Sequence, residues 1–222
     1  MYYESHGSGP PLLLIGGMAQ SVAELQPLIA GLATQNTVVA MDNRGAGRTS
    51  APRGPYSVDQ MARDTIALMD HLGIDRAHLL GISMGGRIAL SLAVGHPKRV
   101  ERLVLVSTSA RVESRRRLMK VVMLIGRLPG LRSSDNAQPL HAMLAQYNAS
   151  TGYNGLARLD RISQPTLVVH GRDDPIVPLA EAEKMQRGIA GARMVLLDGG
   201  HRITLDAGPC AEICEAVLPF LA

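Results

Sequence analysis

Tryptophan is absent from this 222-residue chain, phenylalanine occurs once and cysteine twice. The two cysteines, Cys210 and Cys214, stand four apart in a helical pattern that runs to Leu218. That spacing puts both thiols on one helix face and makes a disulfide between them geometrically awkward. They read as small core residues, which suits a reducing, cytoplasmic setting. Long apolar runs are also missing. The best candidate, Val121 to Ile125, falls far short of the roughly 20 residues that a bilayer-spanning helix needs. The start, Met1 to Gly7, has no basic segment followed by an apolar one. Neither a membrane span nor a secretory signal is therefore expected.

Charge of one sign is little in excess: Lys+Arg 23 against Asp+Glu 19 gives a net charge of +4. The only local concentration is Arg115-Arg116-Arg117 with Lys120. It carries no interleaved aromatics and reads as a solvated helix face, so no nucleic-acid partner is expected. The glycine-rich stretches Gly7-Ser8-Gly9-Pro10 and Gly45-Ala46-Gly47 are not followed by Gly-Lys-Ser/Thr, which argues against a phosphate loop. His, Asp and Cys lack metal-ligand spacing. The chain thus reads as one that uses no metal and no cofactor.

What is present is a hydrophobic fraction of 46%, enough for one sizeable core and a single domain over 1–222. Short runs that are apolar at successive positions predict strands covered on both faces: Leu12 to Ile15, Thr37 to Met41, His78 to Ile82, Arg102 to Val106, Thr166 to His170 and Arg193 to Leu197. Helical spacing fills the intervals Ala23 to Leu32, Val58 to Leu72, Met84 to Val94 and Leu179 to Gly188. The alternation predicts an α/β fold, a mostly parallel sheet of six to seven strands with helices on both faces. The rhythm breaks across 110–160. There the patterns Val112 to Arg127 and Ala137 to Asn148 contain no strand and suggest a small helical cap inserted after the strand ending near Val106.

The most informative stretch is Gly81-Ile82-Ser83-Met84-Gly85-Gly86. A serine with glycines two residues before and after it, between a buried strand and a helix, occupies a sharp bend. Its hydroxyl is then exposed beside the N–H groups of the helix start. In open parallel sheets chemistry gathers beyond the carboxyl ends of the strands. The other loops there are Gly16-Gly17-Met18-Ala19, Asp42-Asn43-Arg44-Gly45-Ala46-Gly47, Gly171-Arg172-Asp173-Asp174-Pro175-Ile176-Val177-Pro178 and Asp198-Gly199-Gly200-His201. Serine, acid and histidine thus fall at strand ends in the order Ser, Asp, His. Asp42 and Arg44 read as residues that pin neighbouring loops, Asp198 as a turn cap and His170 as core.

With these pieces in this order, the chain resembles the α/β-hydrolase superfamily over essentially its whole length, as a serine esterase or lactonase with a short helical cap. The resemblance implies Ser83 as nucleophile, His201 as general base and Asp174 as the acid that orients the imidazole, with Asp173 as the alternative acid. Such an assignment makes chemical sense, because a serine hydroxyl needs an adjacent base and the imidazole needs a fixed tautomer. The oxyanion donors would be the backbone N–H groups of Met84 and Met18. Two departures stand out: the histidine that usually precedes the position of Gly17 is missing, and Ile82 occupies a position where many relatives carry His or Gln. Other groups must then steady the Gly17 loop.

The resemblance further implies hydrolysis of a small to medium, largely apolar ester or lactone through an acyl-Ser83 intermediate. Gly17, Met119, Met123 and Val177 are the candidate substrate contacts. Esterase, lactonase, proline-type aminopeptidase, C–C hydrolase and cofactor-free haloperoxidase or perhydrolase all remain open, as does a receptor-like ligand-binding protein. Dehalogenases and epoxide hydrolases are disfavoured, because those relatives carry Asp at the position of Ser83 and the absent tryptophan removes the usual halide contact. Only Met1 to Pro11 precedes the first predicted strand, where relatives usually have a further hairpin. A loop or a second copy, in a homodimer, would then cover the sheet edge.

Overall fold

The computed structural model describes residues 1–112, 138–205 and 207–222. Seven strands form one sheet: β1 (Tyr3–His6), β2 (Pro11–Ile15), β3 (Thr37–Met41), β4 (Ala77–Ile82), β5 (Val100–Val106), β6 (Thr166–Gly171) and β7 (Arg193–Leu197). Their spatial order is β1-β3-β2-β4-β5-β6-β7, with β4 at the centre. Only β1 runs antiparallel to its neighbour; every other pairing is parallel. The observed strand count lies at the upper end of the expected range. The sequence pattern missed β1, and the reason is physical: as an edge strand it is only partly buried, so Tyr3–His6 never shows the continuous apolar run of the inner strands.

The α-helices among the described residues are α1 (Gln26–Leu32), α2 (Val58–His71), α3 (Met84–Gly95), α4 (Leu140–Gly152), α5 (Leu179–Gly188) and α6 (Ala207–Leu221), joined by short 3-10 turns. Side chains alternate between the two faces of the sheet, and both faces are apolar. Leu13, Ile15, Leu79, Leu103, Leu105 and Val168 meet α2, α3 and α5 on one side. Leu12, Leu14, Leu80, Val104, Leu167 and Val169 meet α1 and α6 on the other. Cys210 and Cys214 are buried in this second layer as thiols rather than joined in a disulfide. Burial on both faces explains the successive apolar positions that made the inner strands recognisable.

Two helix starts differ from the periodicity. The stretch expected as one helix from Ala23 opens as a 3-10 turn over Val22–Leu25, and α1 begins at Gln26 with Pro27 in its first turn. A proline is tolerated there because its missing N–H would have no intrahelical partner anyway. Likewise α4 starts at Leu140 rather than Ala137, since Pro139 is extended (φ −59°, ψ 138°) and disfavours helical backbone at Gln138 before it. The pattern Val112 to Arg127 and the candidate contacts Met119 and Met123 lie outside the described residues, apart from Val112 itself. Among the described residues no helix is long and apolar enough to cross a membrane.

One residue separates β4 from α3, and glycine makes that possible by close approach. A Cβ on Gly81 would stand 2.5 Å from the Gly85 carbonyl oxygen, and one on Gly85 would be driven into the carbonyl of Ile15. Both obstacles are backbone, which cannot rotate away. Gly85→Ala should therefore lower stability by about 3 kcal/mol or more, read as a fall in the urea midpoint. Gly95→Ala, at the far end of the same helix with nothing within 4 Å of the added carbon, should be neutral or slightly stabilising. Equal midpoints for both variants would contradict the packing described.

Candidate active site

Ser83 occupies the single residue between β4 and α3 in a left-handed conformation, φ 51° and ψ −112°. For a residue with a Cβ this costs on the order of 1–3 kcal/mol, so its surroundings must hold it there. They do so through the backbone. The Ser83 N–H donates to the Val106 carbonyl at 2.9 Å, continuing the β4–β5 ladder. The Ser83 carbonyl accepts from Gly86 N–H at 3.1 Å and from the Thr108 hydroxyl at 2.5 Å. The side chain is left to project at the start of α3, where helix N–H groups add a partial positive charge.

His201, beyond β7, and Asp174, beyond β6, come to the same place. His201 Nε2 lies 3.1 Å from Ser83 Oγ, and His201 Nδ1 lies 2.7 Å from Asp174 Oδ2. An ionised carboxylate can only accept, so Nδ1 carries the proton and Nε2 presents its lone pair to the serine hydroxyl. The Asp174 side chain is 0% exposed and that of His201 16%, so the acid is sealed while the ring still reaches the opening. The other oxygen of Asp174, Oδ1, accepts from Ile176 and Val177 N–H, each at 2.8 Å. Burial pushes the Asp174 carboxyl up. The bond and charge of His201 and the two N–H donors outweigh it, leaving the group below its ordinary value.

The loop after β2 passes directly over the serine: a Cβ on Gly17 would be 3.5 Å from Ser83 Cβ. Among the described residues the N–H groups of Met18 and Met84 have no hydrogen-bond acceptor. Two glutamines and an asparagine do the steadying for which the sequence shows no histidine. Gln20 Oε1 accepts from Gly17 N–H at 2.7 Å, and Asn43 Nδ2 donates to the Gly16 carbonyl at 2.8 Å. Gln146, on α4, accepts from Ala19 N–H at 2.9 Å and donates to the Arg44 carbonyl at 2.7 Å. One side chain from α4 therefore ties the loops after β2 and β3 together. Met143 and Tyr147 on the same helix pack against Met18.

The structure brings together Ser83, Asp174 and His201, with Gly17 and Met18 above the serine and Met84 behind it. Asp173 makes no contact with His201 that competes with Asp174; its N–H donates to the Gly199 carbonyl at 3.0 Å. Asp42 holds two loops by accepting from Val22 and Arg48 N–H, both at 2.7 Å. Arg44 pairs with Asp64 at 2.6 Å, and the exposed Asp198 faces Arg172 at 3.4 Å. Val177 is buried beside Asp174, with its backbone engaged. Sequence reasoning overlooked Gln20 and Gln146, as well as Arg87. One helical turn beyond Ser83, Arg87 is buried, donates to the hydroxyls of Ser109 (2.8 Å) and Ser150 (2.9 Å), and is pushed down to about 10 by burial. Among the described residues no three His, Cys, Asp or Glu side chains cluster as metal ligands would.

Comparison with known proteins places the fold. A family model described as "alpha/beta hydrolase fold" matches residues 10–147 and 124–207. A putative carbamate hydrolase RutD from Azorhizobium caulinodans is 31% identical over 230 residues, 90% of this chain and 87% of that protein. Among solved structures, a hydrolase from Pseudomonas aeruginosa superposes with a TM-score of 0.89 at 27% identity, covering 99% of this chain and 93% of that one. The enol-lactonase from Burkholderia xenovorans gives 0.86 at 27% identity, covering 99% and 95%.

The lowered Asp174 carboxyl has a consequence for acid stability. A group depressed in the folded state contributes fully above its unfolded value of about 3.9, and the contribution is lost as pH falls through the lower folded value. The stability gap between wild type and Asp174→Asn, measured by urea unfolding, should therefore be constant near neutral pH and shrink below about pH 4. A gap of unchanged size down to the acid limit of folding would contradict the assignment.

Proposed function

Because the chain belongs to the α/β hydrolase fold family and is a hydrolase, we propose that it cleaves a carboxylic ester, or a related acyl bond such as a lactone or carbamate, through an acyl-Ser83 intermediate. The observation that carries this reading is the unbroken line from Ser83 Oγ through His201 to the sealed Asp174, at 3.1 and 2.7 Å. As Oγ attacks the substrate carbonyl carbon, His201 Nε2 takes the hydroxyl proton, and Asp174 stabilises the imidazolium that results. The carbonyl oxygen becomes an oxyanion facing the N–H groups of Met18 and Met84, which have no acceptor among the described residues. His201 passes its proton to the departing alcohol. Water then repeats the attack with the same base, releasing the acid and restoring the serine.

The apolar contacts Met18, Met143 and Tyr147 support a small to medium, largely uncharged substrate. Gly17 keeps the space over Ser83 clear of a side chain, and Val177 lines the Asp174 side. A carbamate is the second reading, favoured by the curated relatives named as putative carbamate hydrolases at about 30% identity. Either bond presents its carbonyl carbon to the same nucleophile.

The test compares wild type, Ser83→Ala and His201→Ala on short p-nitrophenyl esters, a γ-lactone and an alkyl carbamate, with a fluorophosphonate as covalent probe. Wild type should turn over at least one of these and take up one probe per chain. Both variants should lose about 10⁴-fold or more in kcat, and Ser83→Ala should remain unlabelled. Turnover by Ser83→Ala at the wild-type rate would overturn the proposal, whereas the relative rates on ester, lactone and carbamate identify the bond type.

A further inference from the structure

His170, the residue that sequence reasoning assigned to the core, lies at the end of β6 and is 0% exposed. Its Nε2 is 2.9 Å from the Val177 carbonyl and 3.7 Å from Asp174 Oδ2, the oxygen that receives His201. A carbonyl only accepts, so the His170 proton sits on Nε2. Nδ1 is then a bare lone pair, buried and, among the described residues, without a partner. A leucine or valine would remove that unpaired atom but would leave the Val177 carbonyl without this donor. The imidazole is thus placed for its hydrogen bond rather than for packing alone.

We infer that His170 is a positioning residue for the reaction: its Nε2–H holds the Val177 carbonyl from beneath, and through that residue fixes the Asp174 carboxylate on His201. Val177 is gripped at both ends, its N–H by Asp174 Oδ1 and its carbonyl by His170. The turn from Asp174 to Val177 therefore has no freedom to swing the carboxylate away. The 3.7 Å from Nε2 to Oδ2 is too long for a hydrogen bond, and the Nε2–H is spent on the Val177 carbonyl, so His170 acts on the carboxylate chiefly through Val177. Burial pushes His170 down despite the Val177 carbonyl and the Asp174 charge, with His201 lowering it further. The ring stays neutral, so no second cation opposes the imidazolium formed on His201 during turnover.

This inference rests on the proposed serine mechanism, and the experiment separates the two. His170→Phe keeps a ring but no donor; His170→Gln restores an N–H near the position of Nε2. On a p-nitrophenyl ester, His170→Phe should lose about 10-fold in kcat with KM within about twofold, and His170→Gln should recover most of it. In proton NMR the low-field resonance of the His201 Nδ1–H···Asp174 bond should shift or broaden in His170→Phe and return in His170→Gln. Nitrogen NMR of wild type, which requires no variant to fold, should show His170 as the neutral Nε2–H tautomer. An Nδ1–H tautomer overturns the inference, as do equal losses in both variants or wild-type kcat in His170→Phe beside an inactive Ser83→Ala. Full activity in Ser83→Ala overturns the functional reading and this inference with it.

Discussion

The constraint on which this molecule depends is the single-residue turn between its central strand and the helix that follows. Ser83 must adopt a left-handed backbone, and the chain must pass so close to its neighbours that Gly81 and Gly85 have no room for a side chain. Strain of this kind persists only where the surroundings over-determine it. Here a strand ladder on one side and the Thr108 hydroxyl on the other supply the restraint. The result is a hydroxyl standing free at a helix N-terminus, at the carboxyl edge of the sheet, where the loops after β2, β6 and β7 can all reach it.

Neutral amides organise the rest of the opening. Gln20 and Asn43 fix the loop over the serine, and Gln146 reaches from α4 to hold the loops after β2 and β3 at once. Amides donate and accept without adding charge beside the proposed oxyanion, so they set the shape of the loop while leaving the field to the helix start and to the Met18 and Met84 N–H groups proposed as its donors. The charged pairs Arg44–Asp64 and Arg172–Asp198 lie outside this arrangement, in partly or largely exposed positions where ion pairs contribute little.

What was legible in the residues, and what was not, follows from the range of the interactions. The inner parallel strands could be recognised because burial on both faces leaves successive apolar positions, and the Ser83 turn because close approach demands glycine at fixed offsets. β1 left no such trace, being half-exposed at the sheet edge. Prolines shifted the starts of α1 and α4 by a local backbone rule that hydrophobic spacing does not encode. Gln146 lies 127 residues from the amide it accepts from, and nothing in the local pattern of an alanine-rich helix marks that glutamine as a clasp. His170 ends an apolar run and reads as core by that pattern. Only its distances to Val177 and Asp174 give it a further part.

In the proposed mechanism the Ser83 oxygen becomes covalently bonded to the acyl group of its substrate. Acid-quenched mass spectrometry during turnover of a slowly deacylating p-nitrophenyl ester tests this most directly. The peptide containing Ser83 should gain the mass of the acyl group, and that species should disappear as the ester is exhausted. Turnover at full rate with no adduct on Ser83 at any time, or an adduct on another residue that forms and decays at the rate of product release, would contradict it.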